Sequence, residues 1–226
     1  MDVVIPMAES LFNDDMKDLS MDFLELGLDS ITDNEILREI PIVKTVCAIT
    51  KTSIAIKEKF LLRKFFNFVK AFNNYDVEEE EISKRKNAIH NNEKWVYDEI
   101  EFLSVYLDDM DSVKKARILG RLYNEYLNRR INWERFCLFT EIVNRMFSYD
   151  MDMLLGFYDY SKPDSSKGLG FDLTSYNRLV GLGLIDREID YGQDMSKYGR
   201  VFREKSYAYR ITYAGKMIGE IIKQLK

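Results

Sequence analysis

The chain has 226 residues, with 46% hydrophobic and 31% charged side chains and a net charge of −5. That composition excludes long disorder and collagen-like or low-complexity architecture, and it suffices for one large or two small cores. The charge is uneven: residues 1–40 carry eleven acidic and two basic side chains, residues 41–166 are balanced, and residues 167–226 carry eleven basic and seven acidic ones. No segment is basic enough to require nucleic acid, while an acidic head and a mildly basic tail attract each other, within one chain or between two.

The start, Met-Asp-Val-Val-Ile-Pro, lacks the basic then apolar order of a secretory signal. Cys47 and Cys137 sit in apolar helical patterns without CxxC spacing, as reduced core residues of a cytoplasmic protein do. Next comes DFLELGLDSITDNEI, residues 22–36. Its Gly-Leu-Asp-Ser resembles the acyl carrier signature, in which a serine carries phosphopantetheine. Only 29 residues precede Ser30, and Pro41 interrupts the following helix, where a carrier needs a full helix on either side. Asp29 or Ser30 is expected instead to cap a short helix that packs Ile31, Ile36, Leu37 and Ile40.

From about Ile42 to Phe72 the pattern is helical. Val46, Ile49, Ile56, Phe60, Phe65, Phe68 and Phe72 fall on one broad face, and Thr52-Ser53 marks a candidate break. The apolar run Ile40–Ile56 holds Lys44 and Lys51, each costing about 2.5–3.5 kcal/mol in a bilayer centre, so no membrane span is expected. Lys57, Lys59, Arg63, Lys64 and Lys70 decorate the aromatic stretch that follows. They form either an interaction surface, for an anionic membrane or a partner, or the snorkelling rim of a core helix. The core reading is preferred, because helices this aromatic are usually buried.

VEEEEISKRKNAI places acids before bases, the order a helix dipole favours. Val96, Ile100, Leu103 and Leu107 then define a helix. Asp111 or Ser112 caps another, with Val113, Ala116, Leu119, Tyr123 and Tyr126 inward. Asn132 caps a third, with Phe136, Phe139, Val143 and Met146 inward. SKPDSSKGLGFD is a loop by composition, and Asp172 caps LTSYNRLVGLGLI. Gly192 and Gly199 mark turns, Tyr207, Tyr209 and Ile211 alternate as in a strand, and TYAGKMIGEIIKQLK closes as a helix.

Over residues 133–226 this order resembles a winged helix-turn-helix. LVGLGLIDRE matches the end of its third helix and YRITYAGKMI the passage from wing to last helix. The expected fold is mainly α: an N-terminal helical bundle over 1–130 and a winged-helix-like domain with a small β-hairpin over 131–226. The resemblance implies a nucleic-acid face of Thr174, Ser175, Asn177 and Arg178 on the third helix with Lys197, Arg200, Arg203 and Lys205 in the wing. One arginine beside an aspartate is thin for base readout, and the protein is acidic overall. Residues 28–73 and 111–154 also resemble a family of uncharacterised bacterial and phage proteins. That likeness implies a microbial, cytoplasmic protein from a prophage or mobile element and transfers no catalytic residue.

Enzyme signals are sparse. His90 is the sole histidine and lies among Asn91, Asn92 and Glu93; no Walker loop or GxGxxG occurs. Asp108, Asp109 and Asp111 fail the EF-hand spacing and read as a capping cluster. The sequence therefore points to a non-catalytic interaction or regulatory protein in phage–host conflict, without cofactor or metal, whose partner is another protein or a second copy. The alternative is a winged-helix DNA-binding regulator.

Overall fold

The computed structural model describes residues 3–13, 15, 16, 20, 35–49, 56–159, 173–190 and 206–226. Among them are eleven helices and one two-stranded antiparallel sheet. They fall into two compact units, residues 1–144 and 145–226. The division lies past the expected one at 130/131. The reason is Phe136, on a helix of the second expected domain, whose ring stacks against Tyr126 at 5.6 Å and lies 5.7 Å from both Tyr123 and Phe102 in the first unit.

The first unit holds α1 (Val4–Leu11), α2 (Glu35–Glu39), α3 (Pro41–Ile49), α4 (Ile56–Asn73), α5 (Glu79–His90), α6 (Lys94–Asp109), α7 (Val113–Leu127) and α8 (Trp133–Arg145). Pro41 interrupts the helix as expected, with α2 ending at Glu39, and it opens α3, since its fixed φ suits a first turn whose N–H groups have no helical acceptor. One such group, the Ile42 N–H, donates to Ser10 Oγ of α1 at 3.1 Å.

The expected helix from Ile42 to Phe72 is described as α3 and α4, and the candidate break at Thr52-Ser53 lies outside the described residues. Ile56, expected inward, is 88% exposed at the first position of α4. Ile36 is likewise exposed, because Leu37 and Ile40 take the core positions of its turn. From Leu62 onward α4 is buried nearly all round, as a central bundle helix must be.

α4 crosses α7 at Gly120. A Cβ there would lie 2.3 Å from the Phe68 carbonyl oxygen, so the crossing needs a residue without a side chain. Val96, Ile100, Leu103 and Leu107 of α6 are fully buried, and Phe136, Phe139 and Val143 complete the core on the α8 side; Met146, in the second unit, is buried as well. Ser112 Oγ accepts the Lys115 N–H and Asn132 Oδ1 the Arg135 N–H, so both expected caps form.

The second unit holds α9 (Ser148–Asp159), α10 (Leu173–Gly181), β1 (Ile185–Asp190), β2 (Ser206–Ile211) and α11 (Tyr213–Gln224). β1 and β2 pair antiparallel in the register Ile185–Ile211 to Asp190–Ser206. Gly183 leaves α10 with φ +69°, the left-handed conformation glycine adopts without steric cost. Leu184 and Ile185 then enter the core. Thr212 Oγ1 caps α11 by accepting the Gly215 N–H and lies 2.7 Å from the Gly183 carbonyl, which binds the helix to the turn before β1. The expected cap Asp172 and turn residues Gly192 and Gly199 lie outside the described residues. No described helix is long and apolar enough to cross a membrane.

Candidate interaction surfaces and the buried polar network

The residues expected to form a basic surface on α4 divide. Lys57 is exposed and pairs with Asp108 at 3.1 Å; Arg63 is exposed; Lys59 and Lys70 are half-buried. Lys64 is a correction, being 2% exposed. Its Nζ donates to the carbonyls of Asp108 and Met110, each at 2.8 Å, at the end of α6. Burial pushes its pKa down, against the pull of the Asp108 charge. It survives there because the C-terminal carbonyls of α6 have no helical donor and a lysine supplies one. Four lysines and an arginine thus do not make one surface.

The acidic cluster is equally engaged. Asp108 pairs with Lys57, Asp109 accepts from Asn144 Nδ2 at 2.5 Å, and Asp111 pairs with Lys115 at 3.1 Å. Lys115 is itself buried and donates to the Asn144 carbonyl at 2.8 Å. Among the described residues no group of three or more His, Cys, Asp or Glu is arranged to hold a metal ion. His90 is exposed as the last residue of α5. Cys47 and Cys137 are half-buried, and burial raises both thiol pKa values, which removes thiolate character. Ser30 and residues 167–172 lie outside the described residues. A hollow of about 570 Å³ is lined by Glu35, Arg38, Glu39, Lys44 and Cys47. Its Lys44 and Glu39 are exposed and pair with each other at 3.5 Å, so both are solvated instead of aimed at a ligand.

On α10, Ser175 is fully buried. Arg178 is held by Asp150 of α9, with Nε at 3.1 Å from both carboxylate oxygens and Nη2 at 2.7 Å from Oδ1; Nη2 also lies 2.6 Å from Ser175 Oγ. Asp150 is fully buried. Burial works to raise its pKa, but Arg178 and the Phe147 N–H outweigh it and hold the carboxyl below the usual range. Phe147 flanks the guanidinium, its ring centroid 4.9 Å from Arg178 Cζ. Thr174 and Asn177 are exposed. Lys197, Arg200, Arg203 and Lys205 lie outside the described residues.

The sequence reading missed the most concentrated chemistry of the first unit. Glu99 of α6 accepts Arg85 Nε at 2.9 Å and Nη2 at 3.2 Å, and it also accepts the Tyr123 hydroxyl and, at 3.4 Å, the Tyr126 hydroxyl. Arg85 donates onward to Glu81 at 2.8 Å, which Arg129 reaches from outside at 2.7 Å. These bonds, led by Arg129, hold the Glu81 carboxyl below its ordinary pKa. A second set centres on Arg121, which pairs with Glu125 at 2.6 Å and Asn124 at 2.8 Å and stacks over Tyr75 at 3.5 Å. Asn124 Nδ2 donates to the carbonyls of Phe72 and Tyr75, tying down the exit of α4. One signal was present: Glu99 falls inside the apolar stripe of Val96, Ile100 and Leu103, where an unpaired charge is costly.

This network predicts an alkaline limit to stability. Burial first, and the Glu99 charge second, raise the Tyr126 pKa to about 12 and push Tyr123 higher than its ordinary value. The folded state therefore holds phenolic protons that the unfolded chain releases near 10, and stability present below that pH falls as pH rises toward about 12. Phenolate absorbance from these two rings is expected only with cooperative loss of the helical circular dichroism signal. Smooth titration of all tyrosines with the signal intact would contradict it.

Comparison with protein families, curated proteins and solved structures finds no match to this chain, so the arrangement of its own side chains carries the functional reading.

Proposed function

We propose that the chain is a non-catalytic interaction protein whose second unit is a winged-helix-like scaffold that binds a partner protein instead of reading DNA. The observation that carries this is the engagement of Arg178. As the one basic side chain of α10, it would be the natural reader of guanine edges or phosphate. It is bound bidentately by the buried Asp150, and freeing it would leave that carboxylate unpaired in the core, a cost of several kcal/mol. Ser175, another expected reader, faces the same core. The role in phage–host conflict that the sequence resemblance implies is part of this proposal.

The DNA-binding reading rests on Thr174 and Asn177, exposed near the start of α10, and on the four basic residues of the wing segment. The two readings separate in a titration of the full chain into labelled duplex DNA. We expect no retention at about 50 mM salt, where phosphate contacts are strongest. Binding that falls steeply by about 200 mM salt, and that is lost in Arg200→Glu/Arg203→Glu, would overturn the proposal.

A further inference from the structure

α5 is joined to the first unit differently from its neighbours. Of its 12 residues only Glu81, Arg85 and Ala88 are buried, and two of those are charged. Ile82 and Ile89 are half-buried. α6, by contrast, sinks Val96, Ile100, Leu103 and Leu107 completely. A helix as polar as α5 lacks a wide apolar stripe, so charge pairs carry much of its attachment. They stand in a row. Arg85 bonds to Glu99 of α6 at 2.9 and 3.2 Å, and its Cζ lies 5.5 Å from the centre of the Tyr126 ring and 5.7 Å from that of Trp95. Glu81 accepts from Arg85 at 2.8 Å and, on its outer side, from the exposed Arg129 at 2.7 Å. The turn into α6 is built on Asn92, at φ +54°, and closed by the Glu93 N–H on the Ala88 carbonyl at 2.8 Å.

Charge pairs and apolar contacts differ in what separation does to them. When α5 lifts away, both members of each pair return to water together, and the desolvation that burial cost is recovered. Buried apolar surface regains nothing on meeting water. We propose that α5 is a detachable strap: it opens as one unit while the rest of the first unit stays folded, and opening bares Glu99 and the Tyr126 ring. Removing Arg85 alone is a different event, because it strands Glu99 beneath the closed strap. The strap goes beyond the interaction-protein reading and does not depend on it.

Hydrogen exchange of the full chain under native conditions, followed by mass spectrometry over a series of denaturant concentrations, tests this. Amides of residues 84–90 are expected to exchange about a hundredfold faster than those of α4 and α7, with little dependence on denaturant, since a local opening exposes little surface. Arg129→Ala removes the outermost tie at an exposed position, and alanine bears the same backbone cost as arginine at φ +56°, so the variant reads the side chain alone. It is expected to speed exchange of residues 84–90 about fivefold, the effect of one partly exposed ion pair, and to leave α4 and α7 unchanged. Arg129→Lys, which keeps the charge, should fall between the two, and circular dichroism confirms that each variant is folded. Exchange of residues 84–90 at the rate and denaturant dependence of α4 and α7 overturns the proposal. So does an Arg129→Ala variant that speeds all three helices alike, or none of them.

Discussion

Gly120→Ala is expected to destabilise the first unit by about 2–3 kcal/mol, although alanine is the better helix former by about 1 kcal/mol. The two effects oppose each other, and geometry decides between them. The added Cβ would sit 2.3 Å from the Phe68 carbonyl oxygen and 3.2 Å from the Phe72 nitrogen, both backbone atoms of α4. No rotamer change relieves contacts with backbone, so α4 and α7 must separate. Separation loosens Phe65, Phe68 and Phe72, all buried at the same crossing. It also strains the Asn124 bonds to the α4 exit. Urea denaturation followed by near-ultraviolet circular dichroism measures the change, and Gly120→Val should be worse. An alanine variant as stable as the parent would mean that the helices do not approach this closely.

The second large effect concerns Arg85. Arg85→Met removes the cation from between Glu99 and Glu81 and leaves Glu99 buried with only two phenolic donors. Breaking a buried pair from one side typically costs about 3–5 kcal/mol, because the remaining charge has neither water nor partner. Glu99→Leu leaves the guanidinium with Glu81 as its one remaining carboxylate, so it should cost less. The double variant Arg85→Met/Glu99→Leu is expected to be more stable than Arg85→Met alone, since no orphan charge remains at the centre. Denaturation of all three gives the coupling directly. Simple additivity of the single losses would show that the network acts as independent contacts.

Why the network exists is itself a physical question. Apolar replacements often equal or exceed a buried ion pair in stability, so stability is a poor reason to keep one. Here Glu99 joins α6 to α5 through Arg85 and to α7 through Tyr123 and Tyr126, three helices fixed by one carboxylate. Aromatic packing is tolerant of rotation and sliding, whereas a bidentate arginine–carboxylate pair is not. The network thus sets the register of helices whose remaining contacts are rings and aliphatic chains. Trp133 of α8 borders this region, its ring 5.3 Å from that of Tyr126.

The sequence by itself determined much of the secondary structure and of the core, though not the helices Val4–Leu11 and Ser148–Asp159. Periodicity identified the buried faces of α6, α7 and α8. The capping residues Ser112 and Asn132 and the glycine at 183 fixed element ends, and alternation at Tyr209 and Ile211 identified β2. Those signals are local, carried by residues within a turn or two of one another. Tertiary structure alone decided which charged residues are solvated and which are structural. Lys64, Arg178 and Glu99 carry the same charges in the sequence as Lys57, Arg63 and Glu101. They differ in what lies opposite: the end of α6 for Lys64, the start of α9 for Arg178, and Arg85 with two tyrosines for Glu99. A charge's role follows from the partner that chain reversal brings to it, and that partner is 14 to 46 positions away in the contacts that matter here. The division after residue 144 has the same origin, because α8 belongs with the rings it covers and not with the helix that follows it.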